Sequence, residues 1–240
     1  MEEKLYIVIP AYNEEANIEK VVNDWYPIVE KYGKDSRLLV IDDGSKDHTY
    51  QKLVALAGNK EALDVKTKKN SGHGATVLYG YNYALTHGAD YIFQTDSDGQ
   101  TNAEEFAVFW KKRDKYEMII GDRNHRKDGI SRIFVTKVLQ FVLRVMFGVW
   151  VPDANTPFRL MKSETLAKCL TVMPREYNLP NVIISVIGVK KRKKILYIPI
   201  TFQQRQGGVN SINLKSITRI GFQAVKDFRI INQRIAKENI

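Results

Sequence analysis

Short β-branched or aromatic runs alternate with stretches of helical periodicity through the first half of the chain. Leu5 to Ile9, Arg37 to Ile41, Asp64 to Thr67, Tyr91 to Gln94 and Met118 to Ile120 read as strands. Helical patterns fall between them, near Glu14 to Tyr32, Lys46 to Ala57, Gly74 to Thr86 and Ala103 to Lys112, each starting just after a strand-end loop. That order predicts an α/β fold with a mostly parallel sheet flanked by helices. Open sheets of this kind bind ligands at the carboxyl ends of their strands, and the polar motifs sit there: Pro10 to Glu15, Asp42 to Ser45, Asn70 to Gly74 and Asp96 to Gln100.

Two further helices are predicted in the second half. Ser131 to Trp150 packs Ile133, Phe134, Val138, Leu139, Phe141, Val142, Val145, Met146 and Trp150 around a narrower polar face of Lys137, Gln140 and Arg144. Such a segment is either a core or oligomer helix or one that lies in a membrane interface. Asn213 to Ile235 repeats Leu214, Ile217, Gly221, Ala224, Val225, Phe228, Ile231 and Ile235 among five basic residues, the pattern of a basic amphipathic helix. The chain is thus expected to form one α/β domain over residues 1–211 and a C-terminal amphipathic basic helix over residues 212–240. The basic run Lys190 to Lys194 is either a solvated turn before a strand at Ile195 to Ile200 or a contact for an anionic surface.

Composition narrows the partners. Lys plus Arg exceed Asp plus Glu by 37 to 27, a net charge of +10, which favours an anionic partner: nucleic acid, an anionic membrane surface or a phosphorylated substrate. No zinc-finger spacing, RNP signature or internal repeat is present, which argues against nucleic acid. Cys169 is the only cysteine, so an internal disulfide is excluded and a reducing cytoplasm fits best. The N-terminus does not read as a signal peptide, and no uncharged run is long enough to span a bilayer. Any membrane association is therefore expected to be peripheral, at the inner face.

The turn TDSDGQ, Thr95 to Gln100, places Asp96 and Asp98 one residue apart directly after an apolar strand. Two hard oxygen donors on a short turn suit a divalent ion held largely by phosphate oxygens and water, although the same pattern also occurs in solvated turns and helix N-caps. Gly44 and Ser45 supply a tight turn and a helix N-cap, and His48, His87 and His125 lack metal-binding spacing. No GxGxxG follows the first strand, which argues against a dinucleotide oxidoreductase.

The four motifs IPAYNEE, DDGS, NSGHGA and TDSDGQ occur in the order and spacing of family 2 glycosyltransferases, which the chain resembles strongly. Later segments extend the likeness to about residue 211: GDRN, DANTPFRLMKSE, YIPITF and RQGGVNS. Within the family it looks most like the dolichol-phosphate-mannose-synthase-like group that glycosylates polyprenyl phosphates. The resemblance implies the GT-A fold, a Rossmann-like domain. It implies a nucleoside pocket lined by Pro10, Ala11, Tyr12 and Glu14, with Asp42 or Asp43 contacting base or ribose and Asn70, Gly72 and Gly74 near the sugar nucleotide. Asp98 is the implied first metal ligand, Asp96 is shared between metal and nucleotide, and Gln100 is a third contact. Mg²⁺ or Mn²⁺ would neutralise the leaving diphosphate. Arg123 resembles the family arginine near the donor, and Arg205 resembles one on a loop that closes over the phosphates. His73 stands where relatives often carry Lys.

The implied reaction is metal-dependent, inverting transfer from a UDP-, GDP- or dTDP-linked sugar. Many relatives bear an acidic residue on a helix matching Asn178 to Gly188, and this stretch has none. A hydroxyl acceptor needs a general base, whereas a phosphate acceptor is already anionic. The expected acceptor is therefore a polyprenyl phosphate, with Asp153 the remaining base candidate. The alternatives are an enzyme extending a lipid-linked or cell-surface saccharide at a hydroxyl, and a non-catalytic nucleotide-sugar-binding scaffold. A homo-oligomer is compatible with either.

Overall fold

The computed structural model describes residues 3–123, 129–174, 176–203 and 214–237, with side chains described at all of these except 129–135, 214–223 and 225. Strands β1 (Leu5–Ala11), β2 (Arg37–Asp42), β3 (Leu63–Thr67), β4 (Tyr91–Gln94), β5 (Met118–Asp122), β6 (Arg159–Lys162) and β7 (Ile195–Pro199) form one sheet in the order β3-β2-β1-β4-β6-β5-β7. All pairings are parallel except those of β6, which runs antiparallel to both β4 and β5. The chain winds outward from β1 to β3 and then returns to the other side of β1 with β4, so a crevice opens between the carboxyl ends of β1 and β4. Because β6 is reversed, the loop that leads into Arg159 lies at that same edge.

Alternation along each strand splits the core in two. Leu5, Ile7 and Ile9 face one layer with α1 (Ile18–Lys31), α2 (Thr49–Ala57) and α4 (Phe106–Lys112), packed around Trp25, Phe93 and Phe158. Tyr6 and Val8 face the other layer, with α3 (His73–Thr86), α5 (Gly129–Phe147), α6 (Ser163–Leu170), α7 (Pro180–Lys190) and α8 (Leu214–Lys237). The continuous apolar strands are what a sheet covered on both faces demands. Pro10 is tolerated inside a central strand because β4 pairs only as far as Val8, so no ladder bond is lost on that side.

The sequence-predicted strands all form. The first two helices start later than their patterns: α1 begins at Ile18 and α2 at Thr49, because Asn13 to Asn17 and Ser45 to His48 are used in bonds between the two loops. Strand β6 and helix α6 are additions.

Helix α5 carries apolar residues on two sides. Leu143 and Phe147 are buried in the core, while Val138, Phe141 and Val145 project outward beside the exposed Lys137 and Arg144. On α8 the residues Ala224, Phe228, Ile231 and Ile235 are buried in the same core, with Phe147 and Phe228 packed edge to face at 5.2 Å. Lys226, Arg229, Ile230 and Arg234 lie on its outer side. Asn232 fastens the three-helix junction: it donates to Met146 O of α5 at 2.9 Å and accepts from Lys190 Nζ of α7 at 2.6 Å. None of the described helices is long and apolar enough to cross a membrane.

Candidate active site

The first two motifs are laced together. Asn13, in the left-handed region at φ 54°, donates its amide to Ser45 Oγ at 2.9 Å and accepts from Lys46 N at 2.8 Å. Glu14 N donates to Thr49 Oγ1 at 2.8 Å. Ser45 is therefore not the N-cap of α2. Its hydroxyl serves the AYNEE loop, and Asp47 Oδ1 accepts from Thr49 N at the helix start. Pro10 and Ala11 are buried as the last residues of β1, Tyr12 is half-buried at its end, and Glu14 is buried with its carboxylate accepting from Asn17 Nδ2.

Asp42 and Asp43 are both buried, yet they do different work. Asp42 accepts from Thr67 Oγ1 at 2.8 Å and Ser45 N at 3.1 Å, which joins the ends of β2 and β3. Asp43 accepts from Ser71 N at 3.0 Å and Gly72 N at 2.9 Å and is paired with Lys68 Nζ, while Asn70 Nδ2 donates to its carbonyl at 2.9 Å. Asp43 and Asn70 thus shape the turn into α3 from opposite ends of one loop-to-loop contact. Gly74 has a packing reason: a Cβ there would lie 2.3 Å from Tyr177 O and 2.4 Å from Asn178 O. Its missing side chain lets α3 approach the backbone before α7.

Asp96 lies at the centre. Its Oδ1 accepts from Gln94 Nε2 at 3.0 Å and faces His73 Nε2 at 3.0 Å. Burial alone would raise the Asp96 carboxyl, but His73, Arg123 and the Gln94 amide outweigh it and hold it below the usual range. Desolvation would lower the His73 imidazole, and the Asp96, Asp98 and Asp43 carboxylates instead raise it. Asp98 Oδ1 accepts from Gln100 N at 3.1 Å, closing a turn whose Gly99 has φ 70°, a backbone most L-residues avoid. Among the described residues no group of three or more His, Cys, Asp or Glu could hold an ion. Two hard carboxylates on a turn do fit a divalent ion that completes its shell with ligand phosphates and water.

Gln100 is buried, and its amide nitrogen is engaged by Gln203 O at 2.7 Å. Gln203 N returns to Gln100 O at 2.8 Å, and Thr101 bridges to Phe202. The segment leaving β7 is thus pinned to the DxD turn. Arg205, two residues beyond, lies outside the described residues, as does Asn124 of the GDRN segment.

Arg123, just past β5, clamps Asp153: Nε to Oδ2 at 2.6 Å and Nη2 to Oδ1 at 2.8 Å. Its guanidinium lies 5.2 Å from the Phe202 ring centroid. The Asp153 loop is secured from both sides. Gln140 of α5 donates to Pro152 O at 2.6 Å, and the fully buried Arg159 donates to Ala154 O at 3.1 Å and to Thr156 O at 2.8 and 3.0 Å.

The structure therefore brings Asp96, Asp98, Gln100, Arg123 and Asp153 to one edge with the nucleoside-pocket candidates beside them. Sequence reasoning did not single out Gln94, Arg159 or Asn181. Gln94 and Arg159 are lone polar side chains in the apolar runs YIFQ and FRLM, and Asn181 shares NVIISVIG only with Ser185; that isolation was the available signal.

A doubly wound sheet with one reversed strand, four laced strand-end loops and a DxD turn defines a GT-A glycosyltransferase. Residues 6–170 match the sequence profile of glycosyl transferase family 2, and the chain belongs to that family. A relative, the UDP-N-acetylglucosamine–dolichyl-phosphate N-acetylglucosaminyltransferase of Methanococcus voltae, is 28% identical over 209 residues, covering 79% of this chain and 81% of its own. Glucosyl-3-phosphoglycerate synthase from Mycobacterium tuberculosis, solved with Mn²⁺ and UDP-glucose, superposes with a TM-score of 0.69 at 19% identity, over 96% of this chain and 79% of that one. The same enzyme with phosphoglyceric acid gives a TM-score of 0.70 at 19% identity, over 96% and 80%. At that identity the likeness concerns the fold.

Proposed function

We propose that this glycosyltransferase moves a sugar from a nucleoside diphosphate donor, UDP-linked in the first instance, to a polyprenyl phosphate at a membrane surface. The observation that carries the acceptor assignment is the placement of α5. Its outward stripe of Val138, Phe141 and Val145 continues to the exposed Trp150, three residues before Asp153. An apolar surface that ends at the reaction edge suits a lipid whose phosphate must reach that edge while its chain stays out of water. The dolichyl-phosphate specificity of the Methanococcus voltae relative supports the same reading.

In this reading the Pro10 to Glu14 and Asp42 to Asp43 loops hold the nucleoside. Asp98 and Asp96, with the Oε1 of Gln100 as a third candidate, hold Mg²⁺ or Mn²⁺, which supplies charge compensation for the departing diphosphate. A phosphate oxygen of the acceptor attacks the anomeric carbon from the face opposite the diphosphate. The bond from that carbon to the donor phosphate breaks, the nucleoside diphosphate leaves, and the centre inverts. The attacking oxygen carries no proton that must be removed. Asp153, with both oxygens engaged by Arg123, is a poor proton acceptor, and we assign it the task of aiming Arg123 at the phosphates. Arg205, two residues beyond Gln203 in the sequence, is our candidate for a second cation serving the same phosphates.

The net charge of +10 and the exposed Lys137, Arg144, Lys226, Arg229 and Arg234 support peripheral attachment to an anionic, cytoplasm-facing membrane. The test is a panel of radiolabelled nucleotide sugars with polyprenyl phosphate, Mg²⁺ or Mn²⁺ and purified protein. Organic-phase product that depends on the acceptor phosphate is expected. Product formed only with a saccharide hydroxyl would overturn the acceptor assignment.

A further inference from the structure

The DxD turn is supported from beneath by a bonded chain that no strand-end motif contains. Asp96 Oδ1 accepts from Gln94 Nε2 at 3.0 Å, Gln94 Oε1 accepts from Asn181 Nδ2 at 2.8 Å, and Asn181 Oδ1 accepts from Tyr81 OH at 2.9 Å. Gln94, Asn181 and Tyr81 are all essentially excluded from solvent. They come from three elements: β4, the first turn of α7, and α3.

The polarity of this chain is dictated from one end. An ionised carboxylate only accepts, so Gln94 must turn its NH₂ toward Asp96. That leaves the carbonyl of Gln94 facing Asn181, which must then present its own NH₂, and its carbonyl is left for the Tyr81 hydroxyl. Each amide has one orientation that satisfies both neighbours, and a buried amide held the wrong way round leaves an unpaired polar atom. The hub is itself fixed: Arg159 Nη1 donates to Asn181 O at 3.0 Å, and Ser185 Oγ donates to the same carbonyl at 2.9 Å. Through Arg159 the first turn of α7 is tied to the loop that carries Asp153.

We propose that Asn181 is a positioning residue for the donor site: by fixing the Gln94 amide, it aims the Asp96 carboxylate at the ion and diphosphate. The inference rests on the reading of Asp96 as a metal and nucleotide contact. It accounts for a single polar side chain at the head of a helix whose other buried residues are nearly all apolar. Carboxylates that bind metals depend on such outer partners, whose loss costs about 10- to 100-fold in metal affinity or activity.

Asn181→Asp tests it with almost no change of shape. Gln94 would then lie between two acceptors with one NH₂ to give, so either Asp96 or the new carboxylate faces a carbonyl oxygen. Mn²⁺ binding is measured by electron paramagnetic resonance at saturating UDP, alongside thermal melting and steady-state kinetics. The expected result is a Mn²⁺ Kd raised at least about tenfold, a matching fall in kcat/KM for the donor, and an unchanged KM for the acceptor. Gln94→Met, which keeps the volume and removes the amide, is expected to do the same and carries the test where Asn181→Asp does not fold. Wild-type Mn²⁺ affinity in a folded variant overturns the proposal while leaving the metal site in place. Failure of the wild-type protein itself to bind Mn²⁺ with UDP overturns both the proposal and the reading beneath it.

Discussion

Arg123 and Asp153 form a two-pronged ion pair across 30 residues of sequence, Nε to Oδ2 at 2.6 Å and Nη2 to Oδ1 at 2.8 Å, with both side chains largely buried. The pair joins the end of β5 to the loop before β6. Removing one partner of such a pair strands the other charge, at a typical cost of about 3–5 kcal/mol. Asp153→Ala is therefore expected to lower the melting temperature and to reduce kcat about 10²-fold, the size of effect seen when one oriented donor to a reacting group is lost. Arg123→Lys keeps the charge and loses the fork, so it is expected to recover stability better than turnover. Turnover near wild type in both variants would remove the pair from the mechanism.

Asp98 presents a different balance. It sits on a half-buried turn outside the hydrophobic core, where its Oδ1 accepts a local bond from Gln100 N. Asp98→Ala is expected to abolish transfer and metal-dependent nucleotide binding while melting within a few degrees of the wild type. Calorimetric titration of UDP with and without Mn²⁺ separates the two effects. Metal-enhanced UDP binding that survives the substitution would refute Asp98 as a ligand.

The strands and the motif loops were legible because a sheet covered on both faces leaves short apolar runs, and ligand-binding loops leave polar punctuation after them. Strand β6 was not. Its four residues include Arg159, a charge that reads as exposed and is instead satisfied by three backbone carbonyls and Ser185. The partner of an apolar stripe is equally hidden from periodicity. The α8 stripe through Ala224, Phe228, Ile231 and Ile235 has the pattern of a membrane-facing helix, yet its described part packs against the α5 side of the core. Contacts such as Asp43 with the Ser71 and Gly72 amides, or Asn181 with Gln94, join residues far apart in sequence, and only the fold shows them.

Alkaline stability follows from the buried acids of the core. Burial pushes the Cys169 thiol from its usual 9.0 up to about 12, against a small opposing pull from Lys193. Burial likewise raises the Tyr6, Tyr91 and Tyr197 phenols from 10.0 to about 12, with nearby carboxylates adding to each. Groups that hold their protons more tightly when folded contribute stability that is fully present below their unfolded pKa values. Above pH 9 the unfolded thiol ionises first, the phenols follow near 10, and the folded state falls behind until about 12. Urea midpoints should therefore decline steadily from pH 9 to 11. Cys169 should also resist thiol reagents at pH 8 until the protein is denatured, and a flat midpoint or fast native labelling would contradict the burial assigned to these groups.

The membrane prediction separates the two amphipathic helices. On α5, Phe141 and Val145 are 68% and 69% exposed and point away from Leu143 and Phe147, which hold the helix to the core. Replacing both with Asp should leave folding intact and sharply reduce binding to anionic liposomes, since each large apolar side chain withdrawn from water contributes about 1.5–3 kcal/mol. Raising salt should weaken wild-type binding as well, because the attraction of the basic residues around the stripe is screened over about 8 Å at physiological ionic strength. Phe228→Ala on α8 should behave in the opposite way: it opens a core cavity and lowers stability by about 3–5 kcal/mol, with little direct effect on liposome partitioning of the folded fraction. If the Asp pair leaves liposome binding unchanged while loss of the α8 residues removes it from a folded protein, the membrane-facing surface is α8 and the assignment of α5 is wrong.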